Sequence, residues 1–220
     1  RHDVDGNGKA DILWRNNVSG NNTLWSMNGL SIENNAGINV VGNIAWQMAG
    51  RGDFDGDGKS DILWRNNITG QNAIYLMDGS NIVSNLQVNT VNLRWDIKAV
   101  GDFDGDGKDD IFWRNTQGDT AIYLMNGNQI TSSGNVIKVS SLDWEIIDTG
   151  DINADGKDDV MWRNNRSGVN VVWLMDGMTL ERRYQLNTVP VSWLLAGLGD
   201  VNGDGTADLV WREQRNKGRN

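Results

Sequence analysis

Asp53-Phe54-Asp55-Gly56-Asp57-Gly58-Lys59-Ser60-Asp61 is the stretch that decides how this chain is read. Acids stand at positions 1, 3, 5 and 9 of these nine residues, with glycine at position 6. A short loop of this kind offers a hard divalent cation the oxygens it needs. Related stretches begin at Asp3, Asp102, Asp151 and Asp200, so the copies are spaced 50, 49, 49 and 49 residues apart. A fixed period of that length makes each loop part of a structural unit repeated along the chain.

In the second copy, Asp53, Asp55, Asp57 and Asp61 are the expected side-chain ligands, and the backbone carbonyl of Lys59 is a fifth. Gly58 permits the positive φ that coils the loop around an ion. The same positions are Asp3, Asp5, Asn7, Lys9 and Asp11 in the first copy, and Asp102, Asp104, Asp106, Lys108 and Asp110 in the third. They are Asp151, Asn153, Asp155, Lys157 and Asp159 in the fourth, and Asp200, Asn202, Asp204, Thr206 and Asp208 in the fifth. Asn7, Asn153 and Asn202 keep an amide oxygen that can still coordinate, so weaker binding is expected in copies one, four and five. Calcium suits such flexible oxygen sets better than magnesium, which demands stricter geometry and keeps its waters. One Ca2+ per loop gives five ions. Simple Asp-Gly turns are the alternative reading, and five copies in register disfavour it.

The charge supports the same expectation. Of the 29 acids, 17 fill ligand positions, and Asp109 and Asp158 inside two loops raise the number to 19. Five divalent ions would add +10 to the formal charge of −9 and leave about +1. Without them the clustered carboxylates repel one another and loosen the loops. A net negative chain is also a poor partner for a nucleic-acid backbone. There is no apolar run of 18 residues to span a membrane. Cysteine is absent, so no disulfide holds the fold. The start lies inside a loop motif, with neither initiator Met nor signal-peptide pattern, and reads as a processed chain or a piece of a longer one.

Around each loop the sequence reads as strands. A unit opens at a Trp (Trp46, Trp95, Trp144 or Trp193) and runs through a short apolar segment into the loop. A second apolar segment such as Ile62-Leu63-Trp64-Arg65-Asn66 follows, then a glycine-containing turn, then a third such as Ala73-Ile74-Tyr75-Leu76-Met77. The third segment ends in Asn28-Gly29, Asp78-Gly79, Asn126-Gly127 or Asp176-Gly177, a strong hairpin signal. A variable stretch leads to the next Trp. Segments of five to seven residues, rich in β-branched and aromatic types, are strand chemistry, and no window shows helical periodicity. Consecutive apolar positions in Ile62-Leu63-Trp64 imply cover on both faces. The expected fold is all-β, a β-propeller of four-stranded antiparallel blades, at 1–45 (lacking its first strand), 46–94, 95–143, 144–192 and 193–220 (incomplete). Four inner strands against five loops do not close neatly, so the chain is expected to be part of a larger propeller or one completed by another chain. A four-unit ring is the alternative.

The string Gly101-Asp102-Phe103-Asp104-Gly105-Asp106-Gly107-Lys108-Asp109-Asp110-Ile111 resembles the FG-GAP or VCBS type repeat. That repeat builds the propeller of integrin α-subunits, and similar ones occur in bacterial surface and secreted proteins and in calcium-containing fungal propeller lectins. The resemblance covers essentially the whole chain. It implies calcium bound between first and second strands on one face of the disc, and an extracellular or cell-surface location. The family usually has seven blades, and this chain has fewer than five.

What the resemblance implies for function is a calcium-stabilised binding or adhesion module whose partner is a glycan or a surface protein. Trp-Arg-Asn recurs at 14–16, 64–66, 113–115 and 162–164. Trp64, Arg65, Trp113, Arg114, Trp162 and Arg163 are therefore candidate sugar contacts, since similar lectins bind sugars between blades. Repetition in every unit favours the competing reading, in which Trp wedges blades together and Arg pairs with a nearby Asp. A purely structural spacer or filament segment, with self-association, is the alternative function. Catalysis is not expected. His2 is the single histidine, no serine sits in a nucleophile elbow, and carboxylates given to calcium leave no acid for proton transfer.

Overall fold

The computed structural model describes residues 2–199, 201–202 and 206–214 of the 220. Asp200 and Asp204 of the fifth loop lie outside the described residues. Seventeen strands form five antiparallel sheets, and no helix occurs among the described residues. The first sheet is β1 (Ile12–Arg15), β2 (Asn22–Asn28) and β3 (Ser31–Ile38). The second is β4 (Trp46–Gly52), β5 (Asp61–Asn66), β6 (Gln71–Asp78) and β7 (Asn81–Thr90). The third is β8 (Trp95–Gly101), β9 (Asp110–Asn115), β10 (Thr120–Asn126) and β11 (Gln129–Asn135). The fourth is β12 (Trp144–Gly150), β13 (Asp159–Asn164), β14 (Asn170–Asp176) and β15 (Thr179–Gln185). β16 (Trp193–Gly199) and β17 (Asp208–Glu213) form the last. Strand order follows chain order in every sheet, so each is a meander.

The Trp-led inner strands begin where the sequence places them, and β4, β8, β12 and β16 pack one against the next. Each carries one extra residue at the same place, Ala49, Lys98, Ile147 or Ala196, opposite an unbroken second strand. Such bulges raise the local twist. Among the described residues no strand pairing joins the last sheet to the first. The chain forms an open run of blades, an incomplete propeller rather than a closed ring of four.

The cores lie between blades. One cluster joins Phe54, Leu63 and Ile74 of the second sheet to Ile111, Trp113 and Met125 of the third. The next joins Phe103, Phe112 and Ile122 to Val160, Trp162 and Met175. An earlier one joins Val4 and Leu24 to Ile62, Trp64 and Met77. The run Ile62-Leu63-Trp64 is explained by this arrangement. In a strand, neighbours point to opposite faces, so Ile62 and Trp64 serve the junction behind while Leu63 serves the one ahead. Each fully buried side chain of this size contributes about 1.5–3 kcal/mol.

Candidate metal centres

Each of the first four loops is wound around its first acid. Asp53 Oδ1 accepts the N–H groups of Gly56 (2.7 Å) and Asp57 (3.1 Å), and its Oδ2 accepts Gly58 N–H (2.7 Å). Asp3 and Asp102 repeat all three bonds, and Asp151 repeats two of them with Asp155 and Gly156. Asp57 in turn accepts Lys59 N–H at 2.9 Å, as do Asn7, Asp106 and Asp155 from the lysines that follow them. The coil requires positive φ at Gly58 (86°) as expected, and also two residues earlier at Gly56 (79°). In the fourth loop Ala154 holds the earlier position at φ 60°, where a side chain costs roughly 1–2 kcal/mol.

The last acid of the loop is buried in the sheet. Asp61 accepts Phe54 N–H and Met77 N–H, both at 2.9 Å, one on each oxygen. Asp11, Asp110 and Asp159 do the same with Val4 and Met27, Phe103 and Met125, and Ile152 and Met175. In the fifth loop Asp208 keeps the bond from Val201 N–H at 3.1 Å, and Asn202 and Thr206 belong to the same loop. A carboxylate oxygen with one bond still has a lone pair to offer.

Ligand atoms of Asp3, Asp5 and Asp11 lie within 4.8 Å of one another, as do those of Asp53, Asp55 and Asp57 and those of Asp102, Asp104 and Asp110. Oxygens at this spacing can share one ion at the 2.3–2.6 Å that calcium prefers. The donors are all oxygen, so the set fits a hard cation. Burial pushes Asp61 up to about 7, Asp110 to about 8 and Asp159 to about 6, against opposing backbone N–H bonds. Burial, then the neighbouring acid, also raises Asp55 and Asp104. A divalent cation bound here would supply the positive charge these groups lack. In the fourth loop Asn153 Nδ2 donates to Asp155 Oδ2 at 2.9 Å.

The loops are stitched to the following blade. Ser60, Asp109 and Asp158 donate their N–H to the carbonyls of Asp3, Asp53 and Asp102, each at 2.6 Å. Gly79, Gly127 and Gly177 donate to the carbonyls of Val4, Phe54 and Phe103. Asp109 Oδ2 accepts Asp53 N–H (2.7 Å) and Asp158 Oδ2 accepts Asp102 N–H (3.2 Å). Burial raises both acids, Asp109 to about 7 and Asp158 to about 6. A Cβ at Gly52 or Gly101 would collide with these carboxylates. The sequence showed Asp109 and Asp158 as surplus acids. The side-chain-free Gly52 and Gly101, one blade back, are the sequence signal that could have found their place. The lysines of position 7 also reach across: Lys59, Lys108 and Lys157 lie over Gly6, Gly56 and Gly105 of the preceding loops. Lys59 pairs with Asp78 (2.9 Å) and Lys157 with Asp176 (2.6 Å).

The six candidate sugar contacts are buried, and Trp162 also lines a cleft between blades. Trp64, Trp113 and Trp162 are buried in the inter-blade cores, and Arg65, Arg114 and Arg163 are buried beside them. Arg65 donates to Gly70 O (3.3 Å), Asn72 Oδ1 (3.0 Å), Val91 O (3.2 Å), Asn92 O (3.3 Å) and Trp95 O (2.7 Å). Its guanidinium stands 5.2 Å over the Trp113 ring of the next blade. Arg15, Arg114 and Arg163 make the same clasp over Trp64, Trp162 and Trp211. These contacts fit the packing reading, with a correction: the hydrogen-bond partners are backbone carbonyls and an Asn side-chain oxygen, not a neighbouring Asp. A planar fork meets several carbonyls at once, which suits Arg and not Lys.

Clefts open further out between the blades. One of about 490 Å³ is lined by Trp144, Trp173, Arg183, Gln185 and Lys138. Its counterpart one junction earlier is about 330 Å³ and holds Trp95, Tyr123 and Ser133 instead. Trp173 and Arg183 are cross-strand partners, as are Tyr123 and Ser133.

A model of the FG-GAP-like repeat matches residues 102–162 and 151–211, and a model of the FG-GAP repeat matches 46–77. The chain belongs to the FG-GAP repeat family, whose repeats commonly bind calcium. No curated protein matches its sequence. A chain of the Photorhabdus luminescens Tc holotoxin pore is 12% identical with a TM-score of 0.49, over 95% of this chain and 13% of that one. The V. cholerae biofilm matrix protein Bap1 is 15% identical with a TM-score of 0.37, over 83% of this chain and 36% of that one. This chain thus spans a minor part of both, and neither likeness bears on its function. No helix among the described residues is long and apolar enough to cross a membrane.

Proposed function

We propose that this chain is an extracellular, calcium-stabilised binding module that recognises a glycan in the cleft between its third and fourth blades. The observation that carries the reading is the makeup of that cleft. Trp144 and Trp173 give it aromatic walls, and Arg183, Gln185 and Lys138 give it polar donors. Sugars are bound by such pairings of a flat apolar face with a few placed donors. Calcium acts on the scaffold: one ion in each loop fixes the segment onto which the next blade is bonded. A glycan array probed with and without chelator tests the proposal. Binding with calcium that Arg183→Ala removes, with an unchanged unfolding curve, supports it, and no binding in either state overturns it.

The second reading is a rigid spacer in a larger surface protein. The repetition of one loop and one inter-blade contact along the chain favours it. A folded, calcium-loaded chain that binds no glycan or surface protein would leave this reading in place of the first.

A further inference from the structure

The blades repeat one another closely, so a residue at which one blade departs from the rest is a residue the fold does not require. Two such departures fall at one junction. The residue paired across the outer strands with Trp25, Tyr75 and Tyr123 is Asn35, Asn85 and Ser133, but with Trp173 it is Arg183. The residue before the valine whose carbonyl meets the arginine clasp is Val40, Thr90 and Thr188 at three junctions, and Lys138 at the one between the third and fourth blades.

Both departures bring in a cation, and both line the same cleft. The chain carries a formal charge of −9, yet no acid lines that cleft. Lys138 pairs with Asp119 at 2.7 Å. Arg183 is exposed, and its side chain makes no hydrogen bond or ion pair among the described residues. The clasp arginines are the opposite case, since Arg65 is buried and donates to several carbonyls. Trp162 lines the cleft too, and its indole N–H has no acceptor among the described residues. Trp64 and Trp113 share that unmet donor, so the cations alone set this cleft apart.

We propose that the glycan bound in this cleft is an acidic one, whose uronate carboxylate is met by Arg183 with Lys138 beside it; this rests on the glycan reading of the cleft and fixes the charge of its ligand. A planar guanidinium takes a carboxylate on two parallel N–H···O bonds, a match that a neutral hydroxyl does not offer. Arg183 and Trp173 stand opposite each other on adjacent strands, so one sugar ring can lie against the indole while its carboxylate reaches the fork.

The test compares oligomers of galacturonate, glucuronate and mannuronate with their methyl esters, which keep the sugar and lose the charge, alongside neutral glycans. Each is titrated into the calcium-loaded 220-residue chain in calcium-buffered solution. At least one acid should bind about fivefold or more tighter than its ester, as a partly exposed ion pair of good geometry supplies, and high salt should shrink that ratio. Arg183→Gln, at an exposed position whose unfolding curve should match wild type, should bring the ratio close to one. Equal binding of acid and ester, or binding of neutral glycans alone, overturns the proposal and leaves the glycan reading standing. A preference for acid that survives Arg183→Gln also overturns it, because the charge is then met elsewhere, as at ions in the loops. Binding of none of these probes removes the proposal and the glycan reading together.

Discussion

Arg65→Ala is expected to destabilise the chain by about 4 kcal/mol, a figure that can be assembled from the atoms the guanidinium meets. Of its carbonyl partners, Gly70 O also accepts Val91 N–H, and Asn92 O also accepts Trp95 N–H, so these two stay bonded after truncation. The Val91 carbonyl loses its Arg65 donor at 3.2 Å. Leaving a buried acceptor unmet costs about 1–3 kcal/mol. The short bond to Trp95 O and the bond to Asn72 each add about 1.5 kcal/mol, the low end for hydrogen bonds to a charged group. Loss of the stack on Trp113 adds about 0.5–2 kcal/mol. Release from burial of the charged head, whose pKa burial lowers, offsets part of the sum. Arg65→Lys keeps the charge and loses the fork, and should cost about half as much. Arg15→Ala should cost less than Arg65→Ala, because Arg15 is only half-buried and water can replace it. Urea unfolding in calcium, followed by tryptophan fluorescence and circular dichroism, reads these differences directly. An Arg65→Ala midpoint indistinguishable from wild type would refute the clasp as a stabilising element, and an unperturbed Arg65→Lys would refute the role of its planar geometry.

Calcium titrated by calorimetry into Asp55→Ala should bind one ion fewer than wild type, and chelator should bring the two melting curves together; equal stoichiometry would remove that loop from the account. In the metal-depleted chain, stability should fall as pH rises from about 4 to about 8. Burial lifts the folded-state values of Asp61, Asp109, Asp110 and Asp159 to between about 6 and about 8, so the folded state holds protons that the unfolded state has released. A urea midpoint that climbs with pH in the absence of metal would contradict the shifts, whereas calcium should itself reverse the trend. Gly29→Ala should cost about 1 kcal/mol, for its φ of 59° alone, since nothing lies within 4 Å of the added carbon. Gly70→Ala should cost clearly more, at least about 2 kcal/mol, because φ is 75° and the new carbon would drive into the Val91 carbonyl; equal costs would refute the close approach.

Strand order, inner-strand starts and loop positions were legible because each is written in local chemistry. Trp46, Trp95, Trp144 and Trp193 open strands where the apolar segments begin, and Asp78-Gly79 and its relatives close hairpins. The clasp was legible only in half. Trp-Arg-Asn stood out as a repeat, but the acceptors of Arg65 are carbonyls 5 to 30 residues away, and every residue type carries one. Asn66 is the easier case, because an Asn before a turn accepts nearby N–H groups, and it takes those of Ile68 and Thr69. The need for glycine at position 4 was not legible, since Gly56 takes positive φ as Gly58 does while the fourth loop carries Ala154 there. The buried setting of Asp61 could not be foreseen from spacing either. It follows from the third strand, whose Met77 N–H turns toward it.

The stitching of the loops to the blades after them ties neighbouring candidate metal centres together. Asp53 and Phe54 lend their carbonyls to Asp109 and Gly127, and Asp109 lends a carboxylate oxygen back to Asp53 N–H. Order that an ion would impose on one loop is therefore felt by the next, and by reciprocity the next acts equally on it. Such a row behaves as coupled neighbours in one dimension. Its ions should load with positive cooperativity, and emptying an inner loop should loosen the loops on both sides of it.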